Sequence, residues 1–370
     1  MQARLFKQGL ALTVALVAIG VLASLSARES FAGATTDLTG GGGSTWEITN
    51  TGGTDNGLPA GGGCDDEEAG FTVEDADIPA GSDAYDNGQM VWVDGSVFAA
   101  PGPISAVGQR VTAGPVSLSG LDVTMEYYAA TGSATLRTFV TFSNPSGSSI
   151  GATVDWVTNM GSDDTTGVEG TSSGDATLTT ADRWVITSDG APPSDPVITH
   201  VLFGPGSPPV TPSSVSLTVF SCAGTEGVLA TYAVTVPAGE TRSLLFFNQM
   251  NPDASAAMGG ALDFDTNPAI DGDLLDSLST GQLGEVLNWD FGIAPPPPPT
   301  DTPSAPPPAA PTDTPAAPQP TATVAADITL PQTGAGDQGS GGATGWLIAA
   351  LLGSAALAAA GYGALRLRRV

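Results

Sequence analysis

Two kinds of side chain here could do chemistry, and they differ sharply in number: one histidine, His200, against 38 carboxylates in 370 residues. A single histidine leaves little room for a histidine-based metal site, and a Ser–His–Asp triad would have to be assembled around it. His200 sits in the run Val197, Ile198, Thr199, His200, Val201, Leu202, which reads as a strand, where a lone histidine is more often structural or on the surface. The carboxylates offer more. A glycosidase needs only two of them across a sugar, about 5 or roughly 6.5–9.5 Å apart. Asp155 beside Trp156, with Asp163 and Asp164 nearby, and Asp182 before Arg183 and Trp184, place acids next to rings that can stack on sugar faces. The same two tryptophans read equally as core residues on strands. No phosphate loop, nucleotide fingerprint or thiol-nucleophile context is present.

Clustered carboxylates are also the hard oxygen ligands that calcium takes. Asp65, Asp66, Asp75 and Asp77 near the start, and Asp271 and Asp273 near residue 270, are the candidates. None has the D-x-[DN]-x-[DN]-G spacing of a calcium loop, and solvated charge is the other reading. The expectation is no cofactor, with calcium as the alternative.

The acidity itself excludes partners. Between residues 33 and 333 lie 36 acidic residues against Arg110, Arg137, Arg183 and Arg242 and no lysine, a net charge of −32. Such a surface repels nucleic acid and anionic lipid. Cations, water, neutral carbohydrate or another surface protein fit it better.

The elements that must position these groups read as β. From 89 to 249, short runs of Val, Ile, Thr, Phe and Tyr alternate with Gly, Pro, Asn, Asp and Ser turns. Strands are predicted at 90–93, 116–118, 121–128, 135–142, 153–157, 183–187, 197–203, 215–220, 228–236 and 243–247. Residues 33–88 read as loop-like apart from a strand at 45–49. Helix is predicted only late, at 253–262, 273–279 and 279–289. Ser279 with Gln282 three residues on forms a capping-box pattern at the last of these. Leu275, Leu278, Leu287, Trp289 and Phe291 are expected to pack this end against the sheets.

The two ends read differently. Arg4 and Lys7 precede an apolar stretch, 10–25, that ends in small and polar residues: a secretory signal peptide, residues 1–32, with cleavage after Ala32 or Ala34. Export places the only two cysteines, Cys64 and Cys222, in an oxidising exterior, which favours a disulfide between them. In the chain-entropy model so long a loop contributes about 5 kcal/mol before strain. After Ile293 the composition turns to Pro, Ala and Thr through about residue 326. Such a segment cannot bury a core and favours extended polyproline II at ~3.1 Å per residue, a stalk whose threonines could carry sugars.

Beyond the stalk come Leu330, Pro331, Gln332, Thr333 and Gly334, a Gly-rich spacer, an uncharged run 346–365, and Arg366, Arg368 and Arg369. The run matches the ~20 residues that cross ~30 Å of hydrocarbon, and the arginines prefer the cytoplasmic side. Pro331 favours an extended backbone at Leu330, which suits a peptide laid in a cleft. This order resembles the LPxTG cell-wall sorting signal of Gram-positive-type surface proteins. The resemblance covers only the last forty or so residues. It implies cleavage between Thr333 and Gly334 by a sortase transpeptidase, then joining of Thr333 to an amine of cell-wall peptidoglycan. A permanent membrane anchor is the alternative. Without a lysine the mature chain is not a pilus-shaft subunit, and Lys–Asn isopeptide staples are ruled out.

The resulting expectation is an all-β ectodomain, residues 33–293, built as a large antiparallel β-sandwich (one large or two packed) with short C-terminal helices. A disordered Pro-rich stalk, 294–329, and a sorting signal with one transmembrane helix, 330–370, follow it. The expected role is non-enzymatic display at the cell wall for adhesion, binding or surface structure, with an extracellular carbohydrate-acting hydrolase as the rival.

Overall fold

The structure, a computed structural model, describes residues 35–51, 70–191, 193–220, 224–266 and 273–293. All belong to the first of the two units into which the chain divides, Met1–Ser304. The signal peptide, Cys64, Cys222, Asp65, Asp66, Asp271, the stalk, residues 330–334, the apolar run 346–365 and the terminal arginines lie outside the described residues.

Antiparallel sheet dominates. In chain order the strands are β1 (Thr36–Thr39), β2 (Thr45–Asn50), β3 (Phe71–Asp77), β4 (Met90–Val93), β5 (Ser96–Val97), β6 (Ala106–Val107), β7 (Arg110–Leu118) and β8 (Leu121–Ala129). They continue with β9 (Thr135–Ser143), β10 (Ile150–Val157), β11 (Gly167–Thr171), β12 (Trp184–Ser188), β13 (Val197–Val201), β14 (Ser214–Thr218), β15 (Gly227–Val236) and β16 (Thr241–Asn251). They form three sheets, ordered β1-β2-β3, β14-β15-β10-β4-β5 and β11-β12-β13-β16-β9-β8-β7-β6.

The side-chain period of two explains which faces meet. On β8, Leu121, Val123, Met125 and Tyr127 are buried while the residues between them are partly open. On β15, Val228, Ala230, Tyr232, Val234 and Val236 are buried in the same way, with Thr231, Ala233 and Thr235 between them more open and Leu229 buried on the opposite face. These inward rows of the eight- and five-stranded sheets share one core, in which Trp156 of β10 stacks on Phe246 of β16 at 5.2 Å and 17°. The three-stranded sheet adds Leu38, Trp46, Ile48, Phe71 and Val73 to that core. It is stitched to the end of the five-stranded sheet by Phe71 N donating to Phe98 O and by the paired Asn50 and Ala100.

β16 is buried on both faces, as a strand covered twice should be. Leu244 and Phe246 face the sheets' common core, whereas Leu245 and Phe247 lie under a second cluster made by the C-terminal segments. Those segments are α1 (Ala254–Ala261), capped by Asp253, a turn at 273–278, and α2 (Thr280–Glu285). The capping box between Ser279 and Gln282 forms as the sequence predicts. Trp289 meets Phe247 edge-on at 5.5 Å.

Three expectations need correction. The helix expected at 273–279 is a turn, and the one expected at 279–289 spans only Thr280–Glu285, because Val286 leaves it in extended backbone to bridge Ser243. Residues 33–88 are not loop-like around one strand: β1 and β3 flank β2. β3, Phe-Thr-Val-Glu-Asp-Ala-Asp, has low strand propensity because of its acids, but Phe71, Val73 and Ala76 are buried and tertiary packing overrides it. Likewise β7 does not begin after Pro115. It starts at Arg110 and carries the proline through a register shift between Ala113 and Val116, on a strand flanked on that side only by two-residue β6. Near an edge and at a bulge a missing N–H costs little.

Candidate functional site

The connection from β3 to β4 drops two polar side chains, Tyr85 and Gln89, into the common core, where both are buried. Tyr85 meets His200 through Asn248. The Asn248 amide donates to the Tyr85 hydroxyl at 2.7 Å and lies 3.3 Å from His200 Nδ1, while His200 Nε2 is 2.8 Å from Thr187 Oγ1. Beside this string, Thr138 donates to Gln89 Oε1 at 2.5 Å and Tyr127 donates to the Gln89 carbonyl at 2.6 Å. His200 also lies edge-on to Trp156 at 5.9 Å.

Burial sets the chemistry of these groups. It pushes the His200 pKa down to about 3 and raises those of Tyr85 and Tyr127. At neutral pH the string is therefore uncharged, and it is hydrogen-bonded except at Asn248 Oδ1 and the neighbouring Gln89 Nε2, which have no hydrogen-bond partner among the described residues. The partners of His200 are a threonine and an asparagine, so no carboxylate orients it as a triad requires.

Above Tyr85 the same connection turns outward and becomes acidic. Asp83 and Asp86 flank it, and Asp163, from the connection between β10 and β11, comes within hydrogen-bond reach of Asp86. Burial first, then Asp83 and Asp163, push the Asp86 pKa up to about 6. Asp195, from the connection between β12 and β13, is raised by burial and by Asp189, Asp83 and Asp163. Asp75, on β3, is raised by burial despite accepting from Ala76 N at 2.6 Å, with Asp77 and Asp83 adding repulsion. Gly161 permits the assembly: a Cβ there would lie 1.9 Å from the Asp83 carbonyl. Asp86 N donates to Asn159 O, and Gly161 N to Ala84 O, both at 3.3 Å.

This rim can hold a proton between carboxylates and attract positive charge. The Asp86–Asp163 pair is too close for either glycosidase separation, about 5 or roughly 6.5–9.5 Å. Among the described residues no group of three or more His, Cys, Asp or Glu side chains is arranged to hold a metal ion.

The acids singled out in the sequence are spread through the fold rather than gathered. Trp156 and Trp184 are buried in different clusters, the first in the common core and the second under α1. Asp155 is buried beside Thr231, which donates to it at 2.6 Å, and burial raises its pKa. Asp182 is fully buried and organises its own turn, accepting from Thr179 N and Thr179 Oγ1 at 2.8 Å and from Ser173 N at 3.1 Å. Those bonds outweigh burial and hold its pKa low. Asp164 lies against Gly224. Asp273 accepts from Tyr128 OH at 3.0 Å, Thr131 Oγ1 at 2.7 Å and Gly132 N at 3.3 Å, and also from Thr131 N. Of the described calcium candidates, only Asp75 and Asp77 border the acidic rim. Tyr85, Gln89 and Asn248 carried no sequence signal, because nothing in their neighbours distinguishes a buried amide from a loop one.

No protein-family model matches the chain, and no curated protein does. Among solved structures, a TPR-domain protein from Parabacteroides distasonis is 12% identical, with a TM-score of 0.34, over 56% of this chain and 45% of that one. A polysaccharide lyase is 13% identical, at 0.32, over 54% and 31%. A Klebsiella pneumoniae protein described as an aldose 1-epimerase is 9% identical, at 0.31, over 64% and 92%. The chain thus spans less than half the length of the first two.

Proposed function

We propose that the chain is an exported surface protein joined covalently to the cell wall through Thr333. Its ectodomain, one large β-sandwich, is displayed for adhesion, binding or surface structure and is not an enzyme. The observation that carries the anchoring is the order at the C-terminal end: 330–334, a Gly-rich spacer, an uncharged run of about the ~20 residues needed to cross a bilayer, and three arginines. The Pro-rich stretch before it supports the same reading, since a stalk of this composition keeps a folded unit away from its attachment point.

The non-enzymatic reading is supported by how the reactive groups are used. His200 is neutral and enclosed by Thr187 and Asn248. Asp182 and Asp273 spend their oxygens on turns. The exposed rim of Asp83, Asp86 and Asp163 suits a positively charged partner better than a bond-breaking step.

Mass spectrometry of the protein released from purified wall by a muralytic enzyme tests the anchoring. The expected product is a C-terminal peptide ending at Thr333 and bearing a wall fragment. An intact peptide running past Gly334 into Trp346, recovered from membranes, would replace the covalent anchor by a permanent span.

A further inference from the structure

The chain does not simply leave the fold after α2. β13 pairs with β16 only from Phe247 to Asn251, which opens the neighbouring edge of β16 around Ser243 and Leu245. Residues 286–289 occupy that edge. Ser243 and Val286 form a parallel bridge, and Leu287 N donates to Ser243 O at 2.9 Å. The side chain of Asn288, fully buried, then stands in for a strand: it accepts from Leu245 N at 2.8 Å and donates to Leu245 O at 2.7 Å and to Leu202 O at 3.0 Å. Trp289 Nε1 donates to Leu245 O at 2.8 Å. From the other side, Gly204 N donates to Asn288 O and Val210 N to Leu287 O, both at 2.9 Å. Three consecutive residues thus make seven hydrogen bonds, split between β16 and the chain leaving β13.

We propose that residues 286–289 are a mechanical clasp through which tension entering at the C-terminal end passes into the eight-stranded sheet. The Ser243–Val286 bridge is parallel, so a pull that continues the direction of residues 286–289 runs along β16, across these bonds, and loads them together rather than one at a time. Trp289, packed on Phe247 and over Gly204, blocks the slide that would release them. The proposal rests on the wall-anchored reading for its source of tension: a surface protein held at Thr333 and engaged at its ectodomain is pulled from this end.

Single-molecule stretching of the full-length chain between its two ends tests it, with a second geometry in which the C-terminal handle is replaced by a peptide tag inserted at exposed Gly147. End-to-end, Asn288→Ala should lower the first rupture force by roughly two-fifths, the share of the bonds that its amide makes, each carrying a comparable part. The tagged geometry should show no change. Trp289→Phe keeps the ring and loses only the Nε1 donor, so it serves if the alanine variant does not fold; it should give a smaller drop, again only end-to-end. Equal forces for wild type and variants, or equal drops in both geometries, would overturn the clasp. Neither result bears on the wall-released peptide, and a peptide running past Gly334 would move the C-terminal attachment from wall to membrane without altering the measured forces.

Discussion

Arg137 of β9 donates to Glu126 of the adjacent β8 at 2.7 Å, with the arginine fully buried and the glutamate 14% exposed. The same guanidinium donates to Leu274 O at 2.7 Å and Asp276 O at 2.9 Å and lies 4.5 Å above the Tyr128 ring. One side chain therefore joins two strands to the turn that precedes α2. Burial lowers its pKa, and Glu126 opposes that shift.

Removing the cation alone should be costly. Arg137→Met leaves Glu126 only the longer ion pair with Arg110 at 3.6 Å and strands two carbonyls, and breaking such a pair from one side costs about 3 kcal/mol or more. Urea unfolding should show that loss, and limited proteolysis should cut first within 273–279. A variant as stable as wild type would show that the turn is held by its apolar contacts alone.

The buried histidine makes stability depend on pH in a fixed direction. His200 has an ordinary pKa of 6.5 and a folded one of about 3, so the unfolded chain binds its proton first. Its contribution to stability is therefore intact above about pH 6.5 and is lost progressively as pH falls towards 3, at up to about 1.4 kcal/mol per pH unit. His200→Gln, which keeps a polar group next to Thr187 and Asn248, should be less stable at pH 7.5 and show a shallower decline between pH 6.5 and 4. Parallel curves for the two proteins would mean that His200 takes up its proton as readily in the folded chain as in the unfolded one.

Asp86 has the opposite sign. Its folded pKa, about 6 against an ordinary 3.8, means that the folded state holds the proton more tightly, so its unfavourable effect is fully present above pH 6 and fades as pH falls towards 3.8. Asp86→Asn should raise the melting temperature at pH 7.5 and lose that advantage near pH 4. Because Asp83, Asp163 and Asp75 face it, added salt should shrink the gain at pH 7.5. A melting temperature unchanged at both pH values would show that the rim does not strain the fold.

Two glycines give a contrasting pair. A Cβ at Gly204 would lie 2.2 Å from Trp289 Cε3, so Gly204→Ala should cost about 1–3 kcal/mol as overpacking does. Gly259, inside α1, has open space at that position, and Gly259→Ala should stabilise by about 0.5–1 kcal/mol. Thermal unfolding of both variants reads the difference, and loss at Gly259 would mean that α1 is not helical there.

The sequence alone determined the strand-rich class, because its signals are local: the alternation 121, 123, 125, 127 survives as the buried row of β8, and Ser279 with Gln282 closes the capping box it predicts. Local rules failed where tertiary packing outvoted them. Acidic β3 is a strand because its three apolar residues are buried, and β7 passes Pro115 because a bulge near the sheet edge excuses the missing donor. What only the tertiary structure decided was which polar residues meet. Asp86 and Asp163 are 77 positions apart, Tyr85 and Asn248 are 163 apart, and Asn288 reaches Leu245 across 43. No spacing rule links such pairs; strand order and the close approach at Gly161 do. Hence the sequence marked its acids as one charged population, while the fold separated them into turn braces, buried partners and a repelling rim.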